Sequence, residues 1–432
     1  MRQIVVNICM LIITSHFLNS NIRANDIDNL SVRLSYGTNQ LLPSLISNAN
    51  LDFDTEKSYF DFYTEGGFQI SEKLSFQAAV QATDQPNAFI GTNYSRPDLP
   101  ITTGRVQKSV VNYRGDDLRV SFGRNNVFSG ERTPSIFQHP LNSDGLCWSY
   151  KWASWSFKHF LQILPAQTNN NEVFRRSVSY HHLSKSFNGL TLGVGEYFIL
   201  TGDQIGFDLK RLNPFIPYLL NSFDSKADLY PGYTGDSDNS LIKLFLEWQG
   251  ISNRALLNVY IDEFQVDAVD REANSDALML HLSVENSFNA FGLRNTLNWG
   301  FSISNPNFGQ HPGPFTTSTL GIFPLFEFTP GMKNLVFIEN KSFIGETWQI
   351  SLAGYSERWV DISQLSPAQM NQHESLDPLE VNSDSRLGIE VNYTAKKLPL
   401  NVGLLGWTSA GTNSQSGYLV SLNYDFESLI KR

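Results

Sequence analysis

Runs that alternate apolar and polar residues recur along this chain, and the connections between them are by turns very short and long. Between Arg254 and Phe264, Leu257, Val259 and Ile261 share one face while Asn258, Tyr260 and Asp262 share the other. A period of two is the side-chain parity of an extended strand. The same parity sets Ile242, Leu244, Leu246 and Trp248 against Lys243, Glu247 and Gln249, and Leu278, Leu280, Leu282 and Val284 against His281, Ser283 and Glu285. It also sets Leu387, Ile389, Val391 and Tyr393 against Arg386, Glu390 and Asn392. Tight turns are predicted at Ser71 to Lys73, Gly115-Asp116, Ala153 to Trp155, Asn188-Gly189, Gly250 to Asn253, Phe288 to Phe291, Ile344-Gly345 and Ala395 to Leu398. Asn-Gly is the strongest hairpin signal among these. Longer irregular segments are predicted at 38–57, 83–104, 124–146, 165–172, 200–239, 264–275, 304–334, 358–383 and 409–416. Eight tight and nine long connections join eighteen strands.

A soluble sandwich also alternates, so parity alone does not select the fold. The strict succession of short and long connections does: turns on the periplasmic side and loops outside are the pattern of an outer-membrane barrel. An even strand count returns both ends of the chain to one side. A closed barrel also pairs every backbone donor and acceptor within the bilayer. The expected fold is therefore all-β, a transmembrane antiparallel outer-membrane β-barrel of about eighteen strands, forming a single domain over residues 25–432. The last strand fits, since Tyr418, Val420, Leu422, Tyr424 and Phe426 form one apolar face ending in an aromatic, the signal expected by the outer-membrane assembly machinery. No later window holds the roughly 18 apolar residues that a membrane-spanning helix needs. Aromatics at 13% and charged residues at 17% suit an aromatic-rich β protein.

Residues 1–24 read as an export signal, with Arg2, an apolar core from Ile4 to Ile13 and a polar end near Ala24. Cleavage there leaves 30 basic against 42 acidic residues and Cys147 as the one cysteine, so no internal disulfide is expected. With pI near 5.3 and no basic stripe, nucleic acid is not an expected partner.

Parity assigns Arg119, Lys243, Glu247, Asn258, Asp262, Glu285, Arg386 and Glu390 to the lumen, together with Gln77, Gln81, Lys158, His281 and Asn392. Their mixed signs predict a cross-braced lumen, because an ion filter presents rings of one sign. Asp262 and Glu263 are adjacent on a strand, so they face opposite sides and cannot act on one substrate. His181-His182 likewise splits between the two faces. No nucleophile elbow, His-Glu-x-x-His or paired-cysteine motif accompanies them, so neither an enzyme nor a cofactor is expected. Asp236 and Asp238 could offer oxygens to Ca²⁺, and turn capping accounts for them equally well. Asn213, Phe215, Tyr218, Tyr230, Tyr233, Asp236, Asp238, Phe315, Phe323 and Trp359 are the candidate glycan contacts, as aromatic rings stack on sugar faces while amides and carboxylates bond hydroxyls. Segment 305–332, with five prolines and Phe323, Phe326 and Phe328, is expected to fold inward or lie over the mouth.

Three motifs then fall in order: Gly206-Phe-Asp-Leu-Lys-Arg-Leu-Asn-Pro-Phe215, Gly235-Asp-Ser-Asp-Asn-Ser-Leu241 and Tyr260-Ile-Asp-Glu-Phe264. They resemble the capsule assembly Wzi family of outer-membrane proteins, and Gly123-Arg124-Asn125 with Gly130 looks like that family's earlier Gly-Arg segment. The resemblance implies an eighteen-stranded surface lectin that helps attach capsular polysaccharide to the cell, in contact with outer-membrane lipid and lipopolysaccharide. Residues 25–57 are too short and polar for the helical region that precedes the barrel in members from enteric bacteria. A porin or substrate-specific diffusion channel of the same architecture is the competing expectation.

Overall fold

The computed structural model describes residues 27–38, 58–83, 103–128, 141–169, 172–202, 238–262, 277–304, 308, 319–320, 323–324, 332–360, 381–395, 400–411 and 416–425. Starting from the amino terminus, the strands are β1 (Ile27–Thr38), β2 (Ser58–Ser71), β3 (Leu74–Thr83), β4 (Thr103–Arg114), β5 (Leu118–Phe128) and β6 (Leu141–Trp152). Next come β7 (Trp155–Asn169), β8 (Glu172–Phe187), β9 (Leu190–Gly202), β10 (Asp238–Gln249), β11 (Asn253–Asp262), β12 (Ala277–Ala290) and β13 (Leu293–Ser304). The two-residue pair β14 (Thr319–Leu320) and β15 (Phe323–Pro324) stands apart from the main sheet. The series ends with β16 (Met332–Ile344), β17 (Trp348–Val360), β18 (Val381–Thr394), β19 (Leu400–Gly411) and β20 (Ser416–Asp425).

Eighteen strands form one antiparallel sheet, each paired with its neighbour in sequence. The ring closes where β1 pairs β20, with Val32 opposite Tyr424 and Ser35 opposite Ser421. Closure removes the free edges that an open sheet would present. Seven of the eight predicted turns are present at one end of the barrel, the one predicted at Phe288 to Phe291 falling at Phe291-Gly292 because β12 runs to Ala290, and the eighth, Ala395 to Leu398, lies mostly outside the described residues. At the hairpin of β8 and β9, Asn188 and Gly189 take φ of 42° and 88°, the left-handed pair a two-residue type I′ turn needs. A Cβ on Gly189 would stand 2.7 Å from the Gln249 carbonyl oxygen, so glycine answers both demands.

The segments read as long connections differ from expectation in two places. Segment 165–172 is almost wholly strand: β7 runs to Asn169 and β8 starts at Glu172, leaving two residues between them. The ladder shifts register between Leu164 and Gln167, which accommodates Pro165, as bulges absorb prolines elsewhere. Within 124–146, β5 continues to Phe128 and β6 begins at Leu141. Two charge-assisted bonds of 3.0 and 2.6 Å from Arg124 to Asp144 tie these extensions together.

The apolar faces point outward. Leu244, Leu278, Leu280, Ile338, Leu352, Leu387, Ile389 and Val420 are all exposed, whereas Asn258, His281, Ser302, Glu339, Glu357 and Arg386 are buried. This inverts a soluble protein's distribution and suits a wall set in lipid. Near the tight-turn end the outer face turns aromatic, with Tyr113, Tyr150, Trp152, Trp248, Phe288 and Trp348 exposed. Trp348 packs on Tyr393 with ring centroids 4.6 Å apart. Such a belt suits an interfacial girdle, where amphipathic rings sit between hydrocarbon and water.

Candidate functional site

The strand register fixes which side chains share the lumen. Lys243 lies opposite Tyr260, Tyr260 opposite Met279, and Asn258 opposite His281. Lys243, Glu247, Asn258, Glu285, Arg386, Glu390 and Arg119 all fall on this inner face, as parity predicted. Asp262 has the same parity through its pairing with Leu241, but its side chain lies outside the described residues. Glu247 pairs with Arg254 at 2.6 Å, and Glu285 stands opposite Arg254. Arg386 donates through Nε to Asp384 at 2.8 Å while its guanidinium lies 5.5 Å from the Tyr355 ring centre. His281 Nδ1 is 2.8 Å from Ser302 Oγ. These bonds satisfy polar groups that burial would otherwise leave costly.

The middle of the lumen is apolar, which the polar inner parity had not suggested. Phe160, Tyr180, Tyr197, Tyr260, Phe337, Tyr355 and Trp407 face inward and join one cluster with Leu241, Met279 and Leu335. Tyr180 stacks on Tyr197 at 4.0 Å and packs at a tilt against Phe160 at 4.9 Å. Phe308, from the segment between β13 and β16, enters the same cluster with its ring edge-on to Tyr260 at 6.3 Å. That segment was expected to fold inward, and Phe308 does so. Tyr260, Met279, Phe308, Leu335 and Phe337 are each at most 2% exposed. A wide aqueous pore would leave such side chains wet.

Small residues on the wall make room for the rings. A Cβ on Gly300 would meet the Phe337 ring at 2.7 Å, and one on Gly195 would meet the Tyr180 ring at 2.8 Å. Gly193 lies beneath Phe245 in the same way. Each ring therefore lies flat across a neighbouring strand, as aromatics that cover strand glycines do.

Charge is distributed unevenly around this cluster. The inner faces of β5 to β9 carry Arg119, Lys151, Lys158, Arg176 and His182, and Glu172, the first residue of β8, shares their parity. Across the lumen, β16 to β18 carry Glu339, Glu357, Asp384 and Glu390 beside Lys341 and Arg386. Cross-bracing of mixed signs holds on β1 to β4, where Lys108 meets Glu65 at 2.8 Å, and on β10 to β12. On β5 to β9 cations predominate on this face.

No family model and no curated protein matches the sequence. Solved structures do match the fold. Wzi, described as an outer-membrane protein involved in group 1 capsule assembly in Escherichia coli and a carbohydrate-binding β-barrel, superposes with a TM-score of 0.54 at 11% identity, over 93% of this chain and 85% of that one. Pseudomonas aeruginosa OccD3 (OpdP) gives 0.51 at 12% identity, over 92% and 91%. P. aeruginosa OpdK with vanillate gives 0.52 at 11%, over 92% and 98%. The fold is that of outer-membrane barrels.

In an outer-membrane barrel the lipid-facing wall should be apolar, and here β6 to β9 depart from that. Trp148, His159, His181 and Glu196 stand side by side in one outward-facing row. His181 Nε2 is 3.0 Å from Glu196 Oε2, and His159 is fully buried. The expected split of His181 and His182 is thus present, with His182 inside against Phe245 at 4.5 Å. Sequence parity missed the row because Ser177, Ser179 and His181 alternate with Val178 and Tyr180, a pattern that by itself puts the serines inside. The ring register puts Val178 and Tyr180 inside instead.

Of the candidate glycan contacts, Trp359 belongs to β17, not to a loop; it is inward-facing and buried opposite Asn382. Asp238 is the first residue of β10 and Phe323 the first of β15, their side chains lying outside the described residues. Asn213, Phe215, Tyr218, Tyr230, Tyr233, Asp236 and Phe315 lie outside the described residues altogether, as do residues 1–24 and Phe426. The structure thus brings the lumen candidates together and leaves those of the long segments without a described place.

Proposed function

We propose that this chain is a non-enzymatic outer-membrane barrel that holds capsular or extracellular polysaccharide at the surface of a Gram-negative cell and assists capsule assembly. The observation that carries the reading is the packed aromatic middle of the lumen with Phe308 seated in it. A barrel filled in this way is a support for surface loops more than a route for solutes. The ordered motifs from Gly206 to Phe264 and the likeness to the E. coli carbohydrate-binding barrel support the same reading. The long segments, here placed outside the cell, supply the sugar contacts through Phe215, Tyr218, Tyr230, Tyr233, Phe315 and Phe323. Lipopolysaccharide and phospholipid surround the apolar wall, and the assembly machinery reads the last strand.

A diffusion channel is the second reading, favoured by an equal likeness to the P. aeruginosa Occ barrels, one of them solved with vanillate. The two separate on cells. Alanine at Phe215, Tyr218, Tyr230 and Tyr233 together is expected to release polysaccharide into the medium while the amount of folded barrel in the membrane stays constant. Unchanged cell-bound polysaccharide in that variant would remove the glycan reading.

A further inference from the structure

Two glycines of the outer wall are not explained by rings lying on them. Gly354 on β17 and Gly406 on β19 share the lipid-facing parity of Leu352 and Leu404. Neither takes a positive φ, and an added Cβ would meet nothing closer than Leu387 Cδ2 at 3.0 Å and Ile389 Cγ2 at 3.8 Å, respectively. The backbone does not require them. Glycine inside a strand weakens it and often marks the close approach of a ligand. Here the two form the floor of a groove of about 730 Å³, walled by Ile338, Leu352, Leu387 and Ile389. Those four side chains are exposed, so the groove opens towards the bilayer.

Above the groove the same outward face turns polar and then basic. Ser356 and Ser385 stand opposite one another with their hydroxyl oxygens 2.9 Å apart. Arg358, the next outward residue of β17, is exposed and lies opposite Ser383. Lys333, passed over by the register shift between Met332 and Asn334, adjoins it. Among the described residues, the outward faces of β16 to β19 carry no carboxylate. A strand in such a barrel gains roughly 2.5 Å of height per residue. Trp348, in the aromatic belt, is the first residue of β17 and Arg358 the eleventh, so Arg358 stands roughly 25 Å above it, at the far rim of the apolar band. That rim is the end of the barrel that bears the long segments. A cation there, over an apolar groove, complements an anionic headgroup with an acyl chain beneath it. Pairing of the two serines uses one hydroxyl proton and leaves the other for the oxygen that joins chain to headgroup. We infer that the outer wall of β16 to β19 is a binding site for a phosphorylated glycolipid of the outer leaflet, its phosphate at Arg358 and Lys333 and one acyl chain laid over Gly354 and Gly406. The site is independent of the polysaccharide reading and requires only that the long segments face outside.

The test is native mass spectrometry of the purified full-length barrel, titrated in neutral detergent with three probes. These are bisphosphorylated hexa-acyl lipid A, the same lipid with its phosphates removed, and phosphatidylglycerol. Lipid A is expected to bind about tenfold or more tightly than its dephosphorylated form, the effect of one or two charge-assisted bonds. Arg358→Gln is expected to bring that ratio towards one. Gly406→Leu, whose side chain grows into the groove, is expected to weaken both forms alike. Folding of each variant is read from its mobility on unheated gels, and Arg358→Gln tests the headgroup contact even if Gly406→Leu does not fold. Equal binding of the two forms of lipid A, or a ratio unchanged in Arg358→Gln, would overturn the headgroup contact. Phosphatidylglycerol binding as tightly as lipid A would overturn the assignment to a glycolipid. Undiminished binding to folded Gly406→Leu would overturn the place of the acyl chain, and no binding of any probe would overturn the site.

Discussion

Phe337→Ala is expected to lower the stability of the barrel by about 3–5 kcal/mol, the range for truncating a buried phenylalanine. Phe337 is 2% exposed, its ring lies across Gly300, and it stacks on His281 with centroids 6.3 Å apart. Neither neighbour can fill the space. Gly300 has no side chain, and His281 is held by its bond to Ser302. The adjacent Ile338 faces outward and is exposed, so Ile338→Ala exchanges one lipid contact for another and should cost far less. Urea unfolding of the two variants in lipid vesicles compares them. Equal losses would mean that the lumen is not packed as described.

Leu387→Arg is expected to cost about 2–4 kcal/mol, the depth-dependent penalty for a cation on the lipid face of a barrel near the midplane. Leu387 is 66% exposed, near the middle of β18, with Ile389 beside it on the same face. Three residues further, Glu390 points inward opposite Ser351, and Glu390→Gln should change stability by no more than about 0.5 kcal/mol, as substitutions away from packed features do. The comparison isolates orientation because both residues lie on one strand. If Glu390→Gln proved the more damaging, the two faces would be reversed.

Much of this architecture is legible before any coordinates. Turn chemistry such as Asn188-Gly189 and the parity of runs such as Leu244, Leu246 and Trp248 depend on local backbone geometry, which a sequence carries directly. The count of eighteen follows from them. Segment 165–172 misleads because a bulge, set by pairing with the neighbouring strand, carries β7 through Pro165 to Asn169. The polarity of β8 misleads for another reason. Val178 and Tyr180 alternate with Ser177 and Ser179, and only closure of the whole ring decides which pair faces the lumen. Trp359 was assigned to a loop because β17 runs on to Val360 beyond its clearly alternating part. The predominance of cations on the inner face of β5 to β9 is a property of the ring as a whole, since its residues lie on different strands. Each strand alone shows only an isolated Lys158 or Arg176.

The outward row of Trp148, His159, His181 and Glu196 sets this barrel apart from a uniformly apolar wall. Ionisable groups at membrane depth are costly unless covered or paired. His181 and Glu196 answer that cost by pairing at 3.0 Å.

The central claim is that the lumen is closed by its aromatic middle and the barrel works as a support for polysaccharide. Planar-bilayer recording on the purified wild-type protein tests it most directly. The account predicts insertion without stable ion-conducting steps. Large, long-lived open channels from the same preparation would contradict it and return the chain to the diffusion channels.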